Sequence, residues 1–237
     1  MRKPVSLICV LTLIVAPALA RDKEREEKRV ENSGRVLKEI LDVPDDIPGD
    51  LLGKAECVAI FPSVLKIAIG IGGSYGRGVM TCRGREHYTG AWSAPSMMAL
   101  EGANIGLQLG GTATDFVLLV MNPRGADAIL SSKVKLGGDA SAAAGPKGRT
   151  AQADTDITMR AEILSYSRAR GLFAGVSLEG STLRPDPPAN RHLYGRDVSA
   201  RDIIRNGKVG VPAAGRKLVS LLNQKSPRNR SNPHSLK

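Results

Sequence analysis

The chain has 237 residues, 42% of them hydrophobic and 24% charged, with a formal net charge of +11. That balance excludes a chain too polar to build a core, and a β-rich chain of this length can be a single domain. Aromatic residues make up only 3%, so the core must rest on Val, Ile, Leu, Ala and Gly, and closely approaching backbones suit it better than large aromatic anchors.

The N-terminus is read as a targeting segment. Arg2 and Lys3 precede the apolar run VSLICVLTLIVAPALA, which ends in Ala18-Leu19-Ala20 before the abruptly charged RDKEREEKR. A positive start, an apolar region and an A-x-A site predict a secretory signal peptide over residues 1–20, removed after Ala20. The run is too short for a comfortable membrane span, which needs about 20 apolar residues. Cys9 lies too early within it for lipidation.

Residues 21–35 form a charged segment of helical character. Val30, Val36, Leu37, Ile40 and Leu41 fall near helical spacing, with Gly34 interrupting and Pro44 ending the pattern. VPDDIPGD is turn-rich, and a short helix over GDLLGKA follows. CVAIF then predicts a buried strand, and VLKIAIGIGGSYGRGVMTCR a long bent strand or a hairpin. EHYTGAW, ANIGLQLGGTATDFVLLVMN and GLFAGVSLEGSTL read in the same way. GADAILSSK, entered from Asn122-Pro123, and ITMRAEILSYSRAR, with Ile157, Ala161, Leu164 and Ala169 along one side, read as helices.

The chain ends on a basic tail. After Asp202 come Arg205, Lys208, Arg216, Lys217, Lys225, Arg228, Arg230 and Lys237 and no acid, so the body before it is nearly neutral once Arg2 and Lys3 are set aside. Residues 205–237 are expected to be a solvated, disordered end. Nucleic acid is not an expected partner: the chain is read as exported and has few aromatics to stack on bases.

The stretch GIGGSYGRG, Gly70 to Gly78, invites a phosphate-loop reading and does not support it. Counting from Gly70, the position that should hold the third glycine of G-x-G-x-x-G holds Tyr75, and another strand-like run follows instead of a helix. No Gly-Lys-Ser/Thr ending is present either. Glycines recur inside strand-like runs at Gly106, Gly110, Gly111, Gly175 and Gly180, the texture of bends and close backbone approach.

Catalytic constellations are thin. The histidines are His87, His192 and His234, no H-E-x-x-H or C-x-x-C occurs, and GVSLEG places the second glycine one residue late for a nucleophile elbow at Ser177. Asp115 and Asp139 are isolated carboxylates that suit turn capping, and Glu179 suits a solvent-facing strand position. The chain is therefore read as a non-enzyme, with no metal or cofactor.

Four blocks together carry a family resemblance: AECVAIFPSVLKIAIGIGGSYGRGVMTCR, GAWSAPSMMALEGANIGLQLGGTATDFVLLVMN, KLGGDASAAAGPKGR and ILSYSRARGLFAGVSLEGS. In this order they resemble the SYLF-domain family over roughly Val36 to Asp202, and a domain over 36–204 is expected. Met97-Met98 stand after Ser96 where family members commonly carry an aromatic. The resemblance implies a non-enzymatic lipid-binding domain. Eukaryotic relatives bind phosphoinositides, and yeast-type members also bind and bundle actin. An exported chain, periplasmic or extracellular and peripheral to a membrane, would meet neither ligand, so binding of anionic phospholipid carries over better than either. A scaffolding, protein-binding role is the alternative.

By the same resemblance the start of the domain would supply an amphipathic membrane helix, here Leu37, Ile40 and Leu41 with Arg35 and Lys38 beside them. The alternative is that the three aliphatics pack on the sheet. A second basic surface is Lys133, Lys135, Lys147 and Arg149, joined by Arg168 and Arg170. The expected fold is α+β: a glycine-rich antiparallel sheet, a sandwich or barrel-like layer, packed by two or three helices. Cys57 and Cys82, the cysteines left after cleavage, could pair if CVAIF and YGRGVMTC are antiparallel neighbours. They could equally be buried free thiols.

Overall fold

The computed structural model describes residues 8–43, 47–69, 71–105, 110–146, 161–169 and 172–231. In chain order the helices are α1 (Ile8–Leu41), α2 (Gly49–Lys54), α3 (Pro123–Ser131), α4 (Pro187–Tyr194), α5 (Ala200–Ile204) and α6 (Arg216–Lys225). The strands are β1 (Cys57–Ile69), β2 (Ile71–Cys82), β3 (Ser96–Ile105), β4 (Gly110–Val120), β5 (Val134–Lys135), β6 (Ala142–Ala144), β7 (Ile163–Ala169), β8 (Leu172–Gly175) and β9 (Thr182–Pro185). The fold is α+β. One curled, open sheet runs β5-β9-β3-β2-β1-β4-β7-β6, with β8 on β7, nearer to the barrel-like expectation than to two facing sheets. Its pairs are antiparallel except β6 with β7.

Strand β1 lies at the centre because both its faces are apolar. Cys57, Ala59 and Phe61 pack on one side with Met80, Phe116 and Leu118, under α3 and α5. Val58 and Ile60 pack on the other with Val79, Val117 and Leu119, under α1, α4 and α6. A strand covered on both faces reads as a continuous apolar run, as CVAIF and FVLLVM do. Helix α3 starts where the sequence places it: the Asn122 side chain accepts from the Gly125 N–H at 2.8 Å, with Pro123 at the first helical position.

Gly72, Gly73, Gly76 and Gly78 lie within β2 and serve the sheet, and Gly70 lies outside the described residues. The register of β1 slips between Ile60 and Leu65 against β2, and between Phe61 and Val64 against β4. Pro62, which has no N–H to give a ladder, sits in this bulge, and Ser63 beside it has a φ of 52°. Opposite, a Cβ on Gly78 would lie 2.0 Å from the Ile60 carbonyl oxygen, so only glycine lets β2 close on the bulge.

Three expectations are corrected. Residues 163–169 form strand β7, not a helix: Ile163 and Leu164 are both fully buried, in the two opposite cores, as alternation across a sheet requires. EHYTGAW is not a strand. Glu86–Tyr88 make a short 3₁₀ turn with positive φ at His87 and Tyr88, and Trp92 joins only an isolated bridge to Arg83. Gly34 does not interrupt α1; a Cβ there would lie 3.4 Å from Leu218 Cβ, so the glycine is where α6 crosses the helix.

The basic tail is the largest correction. Residues 205–231 belong to the fold, and helix α6 buries Leu218 and Leu222 against α1. Beyond it the chain runs as a strap over α2 and the start of β1. Asn229, fully buried, donates from Nδ2 to Glu56 Oε2 at 2.6 Å and to the Tyr88 carbonyl at 3.0 Å. Ser226 accepts from Arg83 at 2.6 Å, and its carbonyl accepts from Trp92 Nε1 at 2.9 Å. The charge count misleads because, among the described residues, Lys208, Arg216, Lys217, Lys225, Arg228 and Arg230 are exposed while Leu218, Leu222, Ser226 and Asn229 are buried.

Cys57 and Cys82 are directly paired across β1 and β2 and are joined by a disulfide, with Cα atoms 3.9 Å apart. The Arg83 N–H donates to the Glu56 carbonyl one position away. The cysteines therefore occupy the adjacent non-hydrogen-bonded site, where cross-strand side chains come closest.

Candidate functional site

Helix α1 crosses the sheet at the level of the bulge and carries cations along both flanks. It is held there by a buried network. Glu26, fully buried, pairs with Arg29, with Arg25 at 3.3 Å and with Arg77 of β2 at 3.9 Å. Arg77 also pairs at 2.9 Å with Asp186, which caps α4 by accepting from the Ala189 N–H. A buried carboxylate is tolerated only when it is paired in this way.

On the flank facing α6, Arg35 and Lys38 of α1 and Arg216 and Lys217 of α6 line a groove of about 720 Å³. Ala213, Ala214, Leu218 and Leu221 contribute apolar lining, with Glu31 and Gln224 at the side. The close crossing at Gly34 brings the two rows of cations together. Lys38 pairs with Asp42; among the described residues no carboxylate forms an ion pair with Arg35, Arg216 or Lys217. A basic rim over an apolar lining is the chemistry that takes an anionic amphiphile.

On the opposite flank Arg21, Arg25, Lys28, Arg29 and Arg77 line a cleft of about 420 Å³ with Glu24, Asn32, Pro62 and Ser63. Burial, followed by the nearby charges of Arg77 and Arg25, holds the Arg29 guanidinium below its usual value. The Ser63 N–H is engaged by Asp115 Oδ1 at 2.9 Å.

The residues expected to bind lipid are dispersed. Leu37, Ile40 and Leu41 are not a membrane face: they are buried in the core beneath α1, with Leu37 and Ile40 fully enclosed. Their stripe is complementary to the sheet, and the same helix turns Arg35 and Lys38 outward. Arg168 is committed to Glu39 and, at 3.2 Å, to Asp115, so it offers no free guanidinium. Lys133 and Lys135 are exposed around β5, but Lys133 opens on a cleft that also holds Asp197 and Asp202. Lys147, Arg149 and Arg170 lie outside the described residues. Asp139 caps a turn, accepting from the Lys135 N–H at 2.8 Å. Glu179 sits in an exposed turn, not on a strand. Arg216 and Lys217 were hidden in the presumed tail, and the Arg25, Arg29 and Arg77 cluster in a charged run without apolar markers.

Among the described residues no group of three His, Cys, Asp or Glu side chains is placed to hold a metal ion, and no helix is long and apolar enough to cross a membrane.

Comparison with known proteins places the chain. The model of the family described as Ysc84, Las17-binding protein actin regulator, matches residues 101–225, more than half of the chain. The chain belongs to the Ysc84/SYLF family. SH3 domain-containing protein PJ696.02 of Schizosaccharomyces pombe is 37% identical over 203 residues, covering 81% of this chain and 46% of that protein. LAS seventeen-binding protein 3 of Saccharomyces cerevisiae is 37% identical over 186 residues, covering 76% of this chain and 39% of that protein. SH3 domain-containing YSC84-like protein 1 of Homo sapiens is 32% identical over 203 residues, covering 83% of this chain and 58% of that protein. The chain thus spans about half the length of these relatives. The match to the family model runs through α6, which places the tail helix inside the family's region as it lies inside this fold.

Proposed function

We propose that this family member is a non-catalytic binding module whose ligand is anionic phospholipid, and that it works as an exported, peripheral envelope protein. The observation that carries the reading is the α1–α6 groove, where Arg35, Lys38, Arg216 and Lys217 converge over Leu218 and Leu221. Each Lys or Arg near an anionic surface contributes about 1 kcal/mol, and that attraction is screened by salt. Flotation of the protein with phosphatidylglycerol vesicles tests it. Reversing the four cations to Glu is expected to weaken binding on the order of a thousandfold or more at low salt. Reversing Lys133 and Lys135 is expected to change it little. Unaltered flotation of the four-site variant, with an unchanged melting temperature, would remove the groove from the reading.

A protein-binding role is the second reading, favoured by the relatives named for binding Las17. Absence of flotation by the wild-type chain on any anionic vesicle would leave that reading in place. Export rests on the N-terminal pattern. The intact mass of the protein recovered outside the cytoplasm is expected to begin at Arg21, and a mass that retains residues 1–20 would refute it.

A further inference from the structure

Two hairpins close at the same end of the sheet. Ile69 pairs with Ile71, Ile71 with Ile105, and Ala68 with Gly110. At the same end Ala169 of β7 pairs with Leu172 of β8. In a chain that is 24% charged, the stretches from Ile67 to Gly76 and from Gly102 to Thr114 carry no charged residue at all. Just inside this end Leu65 and Tyr75 are partners across β1 and β2, 47% and 48% exposed, and Leu172 is 78% exposed. These three are the large apolar side chains that the described part of the fold leaves in solvent.

Cations lie immediately behind them. The cleft of Arg21, Glu24, Arg25, Lys28, Arg29 and Arg77 is also lined by Pro62 and Ser63, with only Val64 between Ser63 and Leu65 in the chain. Arg77 Nε donates to the Tyr75 hydroxyl at 2.9 Å, which ties the tyrosine to the rim of that cleft. Going inward from the tips, the order is a stretch of sequence without charge, then exposed Leu65 and Tyr75 with Lys66 as the chain neighbour of Leu65, then a belt of Arg and Lys. A bilayer has the same order: acyl chains, an interfacial zone that favours amphipathic rings, then phosphates that attract cations. The cleft is lined by five cations and one carboxylate, Glu24, and that excess of positive charge favours an anionic surface.

We propose that this end of the sheet is the membrane-docking contact of the protein. Leu65 and Tyr75 enter the boundary between headgroups and acyl chains of an anionic bilayer, while the exposed Arg21 and Lys28 meet its phosphates. The strands there pair in the order β3-β2-β1-β4, and entry limited to the headgroup boundary leaves those ladders intact. The contact is distinct from the α1–α6 groove, which opens on the helix layer and takes a headgroup, but it rests on the lipid reading.

Fluorescence of Tyr75→Trp and Leu65→Trp variants, mixed with phosphatidylglycerol vesicles containing brominated phosphatidylcholine, tests the proposal. The wild type, whose Trp92 is only 3% exposed, gives the baseline. The added fluorescence is expected to shift to the blue and to be quenched by bromine near the top of the acyl chains. Leu65→Asp combined with Tyr75→Asp is expected to weaken vesicle binding about tenfold or more, with the melting temperature of the wild type retained. Variants that float with the vesicles yet show neither shift nor quenching would overturn the docking contact and leave the lipid reading intact. A wild-type chain that binds no vesicle would overturn both.

Discussion

Arg83→Ala is expected to cost about 3–5 kcal/mol of folding stability, the usual consequence of removing one partner of a buried charge network. Arg83 is fully buried. Its guanidinium donates to the Ala55 carbonyl at 3.2 Å and to Ser226 Oγ at 2.6 Å, and lies 4.6 Å from the centre of the Trp92 ring. Alanine would leave those acceptors unmet and free the strap. Arg83→Lys is not expected to rescue it, because an ammonium cannot serve a carbonyl, a hydroxyl and a ring face with one planar fork.

The same variant should alter the dependence on pH. Burial raises the Glu56 carboxyl above its ordinary value, while hydrogen bonds from Ser231 and Asn229 and the charge of Arg83 oppose that rise. Without Arg83 the folded-state value climbs further. An acid whose folded value lies above its unfolded one contributes stability that is complete below the unfolded value and is lost as pH rises through the folded one. The deficit of Arg83→Ala is therefore expected to be smaller in acid, below the ordinary carboxyl value of 4.5, and to grow toward neutrality. Adding Glu56→Gln should recover part of it at neutral pH. Denaturant melts across that range measure all three. A loss below about 1 kcal/mol, within the span of a single ordinary hydrogen bond, would sink the account.

Opening the Cys57–Cys82 bond, by reduction or by replacing both residues with alanine, is expected to cost about 3 kcal/mol. The bond closes a loop over a sequence separation of 25, and the chain-entropy model gives that magnitude for such a loop. In a domain of this size it corresponds to a fall in melting temperature of roughly 6–12 °C. The location adds a consequence: Glu56 and Arg83 flank the two cysteines, so the bond clamps the strand pair on which the strap is anchored. Thermal melts with and without reductant read the shift, and thiol counting on denatured, unreduced protein should find no free thiol at either position. Two free thiols, or a melt indifferent to reductant, would end the prediction.

Local chemistry by itself determined much of this protein. The apolar run CVAIF, the Asn122-Pro123 helix entry and Gly78 each carry their reason within a few residues: a strand covered on both faces, a side-chain cap, a strand bent past a bulge. The family, too, was legible, because long ordered blocks carry more information than any single motif. Other features were decided by the tertiary structure alone. ILSYSRA has apolar residues at spacings that suit a helix or a central strand, and only pairing with β4, with a core on each side, makes it β7. Leu37, Ile40 and Leu41 make an amphipathic stripe that fits a membrane or a sheet equally well, and the sheet takes it because burial beside β1 and β2 is available within the same chain. Glu26 and Arg29 read only as part of a charged helical segment, and it is the ion pairs of Glu26 with Arg25 and Arg29, joined by Arg77 of β2, that allow Glu26 to be fully enclosed. The tail read as disordered because its composition is basic and polar; Leu218, Leu222, Ser226 and Asn229 fold it back. Charge and composition are sums over a segment, whereas burial depends on which few side chains find partners, and those partners come from the other end of the chain.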